Sequence, residues 1–344
     1  MSVPARRRFI QVAGTAVAAA CAAPHWLQAA PGIGPSRPVR LIVVYPPGGV
    51  SDGMARVLAD PLAQALGVPV LIENRPGAGG SLGMDTLARS APDGSTLAFS
   101  AISPLTLHPL ISHGRGGTSN DTLRGGISND PLRGVVPVAS VMRTPVLVVG
   151  TPAFTGRGFG ALIAQARQQP GAVRWATSGV ATIGHLVLAQ VRVQSRTDIT
   201  HIPYQGGGPQ LNDALSGQFE VLSTNVAAQQ LQYIEGGRFQ PLAVGSPARI
   251  EALPEVPTLA ELGFEKANRD SLFGIFAPAR TPGALVQRLN TQINRVLRSD
   301  TVRERLQGAY NLPAGGSSED FAREIAADLR RNRELMAGDR SQFD

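Results

Sequence analysis

Two glycine-rich turns, each lying between a strand-like run and a helical pattern, constrain this chain more than any other feature. The first strand-like run, Val39–Tyr45, opens into Pro46–Gly49, and the second, Val68–Ile72, opens into Pro76–Gly80. Glycine lets a backbone approach a ligand closely, and a helix start presents unpaired N–H groups at a positive dipole end. On neighbouring parallel strands the two turns would face each other as anion-holding loops. This segment therefore predicts a site for something small and negative.

The order of elements around these turns predicts an α/β fold. The almost unbroken apolar run of the first strand is typical of a parallel strand buried on both faces. The helical pattern that follows has apolar residues at close to a 3.6-residue period, and Pro61 inside it should kink the helix or restart it. A helix at Gly83–Ser90 and a strand at Thr96–Ser100 complete a βαβαβ order. That order predicts a parallel sheet with right-handed crossovers.

A second α/β set begins near Val135 and predicts a second lobe. Its strands are predicted at Val138–Val149, Val173–Ala176, Ile199–Ile202, Phe219–Ser223 and Leu242–Val244. Its helices are predicted at Phe159–Gln168, Thr182–Val193, Pro209–Leu215 and Ala227–Glu235. Two further helices, Pro282–Leu297 and Ser318–Met336, should pack back on the first lobe. The predicted domains are an export signal at residues 1–30, lobe 1 at residues 37–138 and 258–344, and lobe 2 at residues 139–257.

The first thirty residues predict an export signal that is not part of the fold. Arg6–Arg8 precede Phe9-Ile10, and a small-residue apolar run follows at Val12–Ala23. A basic start, an apolar middle and an alanine-rich end are typical of such a signal, and both an ordinary signal peptide and a twin-arginine signal fit. The only cysteine, Cys21, lies inside this leader. Lipid attachment at Cys21 stays an alternative, and we expect no disulfide or thiol chemistry in the mature protein.

The charge pattern argues against a nucleic-acid binder. The formal net charge is +7, but the arginines are scattered among acids and aromatic residues make up only 5% of the chain. A nucleic-acid surface combines a basic stripe with aromatic side chains. Hydrophobic residues make up 43%, with no uninterrupted apolar run of membrane-spanning length in the body of the chain.

One segment repeats itself with a period of nine residues. Residues 119–127 read SNDTLRGGI and residues 128–136 read SNDPLRGVV. Two copies are too few for a solenoid. We interpret the repeat as an exposed loop that was extended by local duplication.

Catalytic and cofactor patterns are only chance matches in this sequence. Gly79–Gly83 fits the hydrolase pattern G-x-S-x-G around Ser81, but the predicted strand ends near Ile72 and does not run directly into the serine turn. The same loop resembles a dinucleotide fingerprint only loosely, and Ser100 stands where that fingerprint requires an acidic residue. We therefore expect no enzymatic activity and no cofactor, with an exported hydrolase using Ser81 as the weakest alternative.

Histidine and aspartate positions do not predict a metal or acid–base site. Four histidines lack the spacing of metal ligands, and cysteine ligands are absent. They are His108, His113, His185 and His201. We place His185 on a helix near a cleft. Asp52 follows the first glycine turn, where we expect it to cap the helix and hold the loop amides; a general-base role is the alternative, although no second carboxylate or nucleophile accompanies it.

Two more turns of the same kind occur in the second set. Thr177–Gly179, together with Thr182, follows one strand, and Tyr204–Pro209 follows the next. Four such loops at strand carboxyl ends mark the crevice where open α/β sheets bind ligands. Hydroxyl and amide groups without an acid–base pair are better suited to ligand binding than to catalysis.

The motifs, taken in order, resemble one family. The chain contains YPPGGVSD, IENRPGAGGSLG, APDGSTL, TSGVATIGHL, HIPYQGGGPQLNDALSGQ, LPEVPTLAELG and FGIFAPARTP. It looks like a member of the TctC/Bug group, the periplasmic solute-binding proteins of tripartite tricarboxylate transporters. The resemblance covers residues 37–337, and the combination of ENRPGAGG with PYQGG is highly specific.

The resemblance implies a two-lobed clamshell protein in the periplasm, monomeric and without catalytic activity. It implies a small organic carboxylate as ligand, held by main-chain amides and bridging waters, and membrane subunits of a secondary transporter as partner. A sensor protein that presents its closed form to a kinase is the alternative. The residues expected to contribute to the site are Pro47, Gly48, Gly49, Ser51, Asp52, Asn74, Gly77, Ala78, Gly79, Ser100, Ser103, Thr177, Ser178, Thr182, His185, Tyr204, Gln205, Gly206, Gly207 and Asn225.

The glycine-rich repeated insertion near residues 112–130 is atypical of the family, and three further sites depart from its pattern. Thr224-Asn225 stands where relatives often carry an acidic residue, which could pair with a ligand amine. Its absence makes an amino-acid ligand less expected. Trp175 replaces a common tyrosine, and Ser271–Phe273 replaces a frequent tryptophan. The pocket should therefore differ in shape from those of relatives.

Overall fold

One long strand connects the two halves of this fold. The computed structural model describes residues 35, 37–112, 132–337 and 343. The strands are β1 (Val39–Val43), β2 (Val70–Asn74), β3 (Thr96–Ala101), β4 (Val135–Gly150), β5 (Arg174–Thr177), β6 (Thr200–Pro203), β7 (Val221–Asn225), β8 (Gln240–Gly245), β9 (Asp270–Pro278) and β10 (Leu312–Pro313). The helices are α1 (Val50–Leu66), α2 (Ser81–Ala88), α3 (Ser103–Thr106), α4 (His108–Ser112), α5 (Gly158–Gln168), α6 (Ile183–Ser195), α7 (Gly207–Leu215), α8 (Ala228–Glu235), α9 (Gly283–Leu297), α10 (Asp300–Gly308) and α11 (Ser318–Met336).

The strand order is β2-β1-β3-β9-β4-β7-β5-β6, with β8 and β10 also paired to β4. Strands β1, β2 and β3 are parallel to one another, as are β5, β6 and β7, whereas β4 and β9 run antiparallel to their neighbours. Strand β4 pairs with β9 up to Pro145 and with β7 and β8 from Val146 onward. The predicted two-lobed α/β fold is confirmed, and the strand changes partners between these two residues.

The first half-sheet is covered by helices on both faces, which explains the unbroken apolar run of β1. Successive side chains of a strand point to opposite faces. Leu41 packs with Leu58 and Leu289 on the α1 and α9 face, and Ile42 packs with Met84 and Phe321 on the α2 and α11 face. Both faces must therefore be apolar.

The second half-sheet is built in the same way. Val146 packs with Trp175 and Val187 on one face, and Leu147 packs with Phe219 on the other. The end of α11 also reaches this half, because Met336 packs against Leu186 of α6.

Strand β9 was not predicted, although it occupies the centre of the sheet between β3 and β4. Phe273 and Ile275 face one core and Leu272 and Phe276 face the other, so the run carries no alternating polar signal. Gly274 lets the sheet lie close to α11, since a Cβ there would be 2.2 Å from Phe321 Cζ. Helix α10 and the short helices α3 and α4 were also not predicted.

Helix α1 runs through Pro61 without restarting and ends at Leu66, and the N–H of the C-cap residue Gly67 donates to Ala63 O. The expected restart at Pro61 is therefore wrong, whereas the alternative, a kink at Pro61, stays a prediction. Pro61 leaves the carbonyl of Val57 without its usual intrahelical donor, yet packing of this helix on the sheet keeps it continuous.

Several sequence predictions lie outside the described residues. They are the export signal at residues 1–30 with Cys21, His113, and the repeat up to residue 131. Among the residues that the structure describes, no helix has both the length and the apolarity to cross a membrane.

Candidate ligand-binding site

The cleft between the two half-sheets contains a cavity of about 60 Å³, called here the central cavity. It is lined by the start of α1, the end of β3, the start of α6, the start of α7, and the adjoining ends of β7 and β9. Predicted residues that line it are Gly49, Ser51, Ser103, Ser178, Thr182, Gly207 and Asn225. Lining residues that were not predicted are Tyr45, Pro46, Val50, Ala101, Ile183, Gly184, Ser223, Thr224, Ser271 and Phe273.

A second cavity of about 280 Å³, called the loop cavity, lies beside it. Tyr45, Pro46 and Ser178 line both cavities. Predicted residues that line only the loop cavity are Gly77, Ala78, Gly79, Tyr204, Gln205 and Gly206. The remaining predicted residues, Pro47, Gly48, Asp52, Asn74, Ser100, Thr177 and His185, line neither cavity.

Asp52 holds the first glycine loop from behind. Its carboxylate accepts hydrogen bonds from Gly48 N at 3.1 Å and from Asn74 Nδ2 at 3.0 Å. Arg56 donates to both of its oxygens, from Nε at 3.1 Å and from Nη2 at 3.0 Å. Asn74 Nδ2 also donates to Tyr45 O at 3.0 Å. Because this carboxylate is fully engaged, it positions the loop and does not act as a free base.

The same contacts shift the pKa of Asp52. Burial of the carboxyl works to raise its pKa, but the hydrogen bonds from Arg56, Gly48 N and Asn74 outweigh burial and lower it below the usual value. Asp52 is therefore charged throughout the neutral range. It lies in the first turn of α1, where Gly49 is the N-cap residue without a side-chain cap, so it supports the loop from inside the helix.

Tyr45, two residues after the end of β1, places a neutral phenol at the cavity. Burial raises the pKa of Tyr45 to about 12, against the lowering effect of hydrogen bonds with Ser103 and Ser100. The hydroxyl therefore stays protonated. Ser100 lies behind the cavity and is fully buried, and its own hydroxyl donates to Ala101 O at 2.7 Å.

In the second half, Thr177 and His185 orient the loop instead of lining the cavity. Thr177 Oγ1 lies 2.7 Å from His201 Nε2 and accepts a hydrogen bond from Gly179 N at 3.3 Å. His185 is fully buried, and its Nδ1 accepts a hydrogen bond from Ala181 N at 3.1 Å. The loop is thus fixed through its backbone from the core side.

The next loop is tied in a similar way. Tyr204 donates its hydroxyl to Asp213 Oδ2 at 2.6 Å and packs its ring edge against Phe219. Burial and the carboxylate of Asp213 raise the pKa of Tyr204 to about 12. Gly206 N donates to Ser178 O at 2.9 Å, so the two loops of this half form one unit.

The departures from the family pattern fall on and behind the central cavity. Asn225 Nδ2 donates to Ser271 Oγ at 2.7 Å, which joins the end of β7 to the start of β9. Trp175 is fully buried and donates from Nε1 to Ser223 Oγ at 3.0 Å. Ser223, Thr224, Asn225 and Ser271 present amide and hydroxyl groups to the cavity, without a carboxylate among them.

Glycines allow the loops of the two halves to touch. A Cβ on Gly206 would lie 2.2 Å from Pro46 Cγ, and a Cβ on Gly79 would lie 2.5 Å from Val180 O. Contacts under 3.0 Å require something to move. The close approach of the halves therefore depends on the absence of these side chains.

The serine of the hydrolase-like pattern is not an exposed nucleophile. Ser81 is 1% exposed, and its hydroxyl donates to Ala78 O at 3.0 Å. His108 Nε2 lies 3.4 Å from Ser81 Oγ, and both side chains are buried. This arrangement leaves no access for a substrate. In the described part of the chain, no three His, Asp or Glu side chains converge as a metal-binding group.

A larger cavity of about 360 Å³ lies between β9 and α11, next to the cleft. The charged side chains that line it form ion pairs with one another. Arg269 pairs with Asp328, which Arg331 also contacts at 3.4 Å, and Arg143 pairs with Glu324. Burial lowers the pKa of Arg269, against the opposing effect of Asp328. These contacts fix α11 to β4 and to the residue just before β9.

Comparison with known proteins decides the family. The family model of the tripartite tricarboxylate transporter family receptor, TctC, matches residues 54–338. The chain belongs to the TctC family. BugT of Bordetella pertussis is 35% identical over 302 residues, which are 86% of this chain and 87% of BugT. The resemblance that the sequence motifs suggested is confirmed.

Solved structures of similar proteins support the same fold for this TctC protein. The structure of the periplasmic binding protein BugD has a TM-score of 0.79 at 24% identity, over 88% of this chain and 97% of BugD. An R. palustris protein solved with adipate has a TM-score of 0.78 at 29% identity, over 88% of this chain and 97% of that protein. The fold is that of periplasmic binding proteins.

Substitution of Gly206 by alanine should open the cleft. Overpacking costs about 1–3 kcal/mol, so contact with Pro46 should lower the population of the closed arrangement roughly fivefold to 150-fold. Small-angle X-ray scattering should report a larger radius of gyration. Gly158→Ala is the control, because Gly158 shares a positive φ but has open space around its Cβ. Equal scattering curves for both variants would contradict the role assigned to Gly206.

Substitution of Asp52 by asparagine should destabilise the ligand-free protein by about 1–2 kcal/mol at pH 7, because Arg56 and the loop amide lose a charged acceptor. The folded-state pKa of Asp52 is lowered, so its stabilisation is complete above the usual carboxyl value of 3.8 and is lost as pH falls through the folded-state pKa. The difference from wild type should therefore shrink below pH 3.8. Thermal unfolding across pH measures it, with the exposed Asp60→Asn on the same helix as control; a difference that stays constant down to pH 2 would contradict this account.

Proposed function

We propose that this TctC protein is a periplasmic receptor that captures a small dicarboxylate in its cleft, at the central cavity and the adjoining loop cavity, for a tripartite tricarboxylate-type transporter. The observation that carries the proposal is the convergence of three helix starts on an uncharged cavity. Helices α1, α6 and α7 begin at Val50, Ile183 and Gly207, and all three residues line it. Helix starts present free N–H groups and a positive dipole end, which favour an anion.

The composition of the lining explains why the anion would be held by the backbone. No lysine, arginine, aspartate or glutamate lines the central cavity in the described part of the chain. Hydroxyl groups of Ser51 and Ser178 supplement the amides, whereas the Thr182 hydroxyl donates to Gly179 O at 2.7 Å. A carboxylate needs donors in a fixed geometry. The hydrogen bonds that Asp52 and Thr177 accept from loop amides fix that geometry from the core side.

Backbone donors can supply much of the binding free energy that useful affinity requires. A hydrogen bond to a charged acceptor contributes about 1.5–3 kcal/mol, so four such bonds give a gross ~6–12 kcal/mol. Micromolar binding requires ~8 kcal/mol, and ordering costs reduce the gross sum. A ligand with a second carboxylate, contacting both halves, reaches this range more readily than a monocarboxylate.

Two observations favour a dicarboxylate without an amino group. A structural relative at 29% identity is solved with adipate. At the cavity, Asn225 presents an amide where an ammonium group would need a carboxylate, and its Nδ2 is already bonded to Ser271. The ligand class proposed is therefore the dicarboxylates.

Capture would proceed by closure of the two lobes around the ligand, and the closed form would be the signal to the membrane subunits. The lobes proposed are residues 37–138 with 258–344, and residues 139–257. Among the described residues that line the cavity, none supplies an acid–base pair, and Ser81 is buried. The receptor would therefore release its ligand chemically unchanged.

A thermal-unfolding panel tests this function. The leaderless protein, unfolded and refolded to remove bound ligand, is compared with and without C4 to C6 dicarboxylates, monocarboxylates and adipamide. A ligand at a hundred times its dissociation constant adds ~2.7 kcal/mol, which raises the unfolding temperature by several degrees. Adipamide is the matched control, because it keeps the shape of adipate and removes the charge. An adipamide shift equal to that of adipate, or no dicarboxylate shift at all, would contradict the proposal.

A further inference from the structure

A groove of about 580 Å³ lies outside the cleft, between α1 and the α9–α10 pair, and is called here the flank groove. Arg56 of α1, Arg295 of α9 and Arg305 of α10 line it, and Asp60 is the only acidic residue among its described lining. All four of these residues are exposed. The groove therefore has a positive local charge.

Two of the three arginines of the flank groove, Arg295 and Arg305, differ from those arginines of this surface that form ion pairs. Arg174 pairs with Glu220, and Arg249 pairs with Glu261. Within the described residues, Arg295 and Arg305 have no carboxylate within 4.0 Å. Two guanidinium groups on different helices thus face one groove without local neutralisation, and an acidic partner could supply it.

The flank groove is connected to the ligand site through one side chain. Arg56 lines the groove with 56% of its side chain exposed, and it holds Asp52, whose side chain is 8% exposed. Asp52 in turn accepts the hydrogen bond from Gly48 N of the first glycine loop. A carboxylate arriving in the groove would reach Arg56 on its open side while Asp52 stays covered.

We propose that the flank groove is the docking surface for an acidic periplasmic segment of the transporter's membrane subunits. The proposal rests on the proposed function, because that function supplies the partner. Charge complementarity gives such a contact its orientation and its rate of encounter, both weakened by salt. Docking here places partner carboxylates beside the cation that fixes the ligand loop.

The experiment measures uptake of the dicarboxylate identified by thermal unfolding into proteoliposomes that contain the membrane subunits. The test variant is Arg295→Glu with Arg305→Glu. The control is Arg288→Glu with Arg330→Glu, which makes the same charge change at two exposed arginines of α9 and α11 that do not line the groove. Calorimetry measures the affinity of each receptor for the dicarboxylate separately.

The test variant should bind the dicarboxylate within twofold of wild type, yet need at least tenfold more receptor for half-maximal uptake at low salt. The control should stay within twofold in both assays, and the difference between variants should shrink as salt is raised. Equal uptake by both variants would overturn the docking proposal. So would binding of wild type, but not of the test variant, to protein-free vesicles with anionic lipid, since that assigns the groove to a membrane surface. Failure of wild-type receptor to bind any dicarboxylate by calorimetry would instead count against the proposed function.

Discussion

Free N–H groups at the starts of three helices are the constraint on which the rest of this structure depends. Helices α1, α6 and α7 each start where a parallel strand has just ended, so their positive ends meet in the cleft. An anion can then be held without a lysine or arginine in the cavity wall. This arrangement requires a parallel strand order in each half, a tight turn after each strand, and polar side chains that fix each turn from the core side.

The proposed closure of the two halves involves the same turns. Gly206 meets Pro46, and Gly79 meets Val180, at distances that leave no room for a Cβ. The residues that give the amides access to a ligand therefore also let the halves approach each other. Asp52 and His185 stabilise two of these turns from opposite halves, each by accepting a backbone N–H. The cavity is thus made largely of backbone, and its shape depends on side chains that do not line it.

The sequence predicted the parts of this fold that have local signals. The apolar run of β1 and the glycine turns after it are short-range patterns, and the four loops lie where they were expected. His185 and Thr177 were expected at the cavity but lie behind it, because a motif position does not say to which side a residue's side chain points. Strand β9 was not predicted, although both of its faces are buried and its apolar run resembles that of β1. Ser271 and Phe273 reach the cavity only because this strand inserts beside β3, a contact between segments distant in sequence.

Amide hydrogen exchange tests the central claim most directly. The leaderless protein is compared with and without a saturating dicarboxylate that raises its unfolding temperature. If backbone amides of both halves hold the ligand, exchange should slow at residues 48–52 of the first half and at residues 179–184 and 205–208 of the second. Exchange in α9 and α10 should not change. Protection confined to one half, or absent from all of these turns while the ligand is bound, would contradict the account.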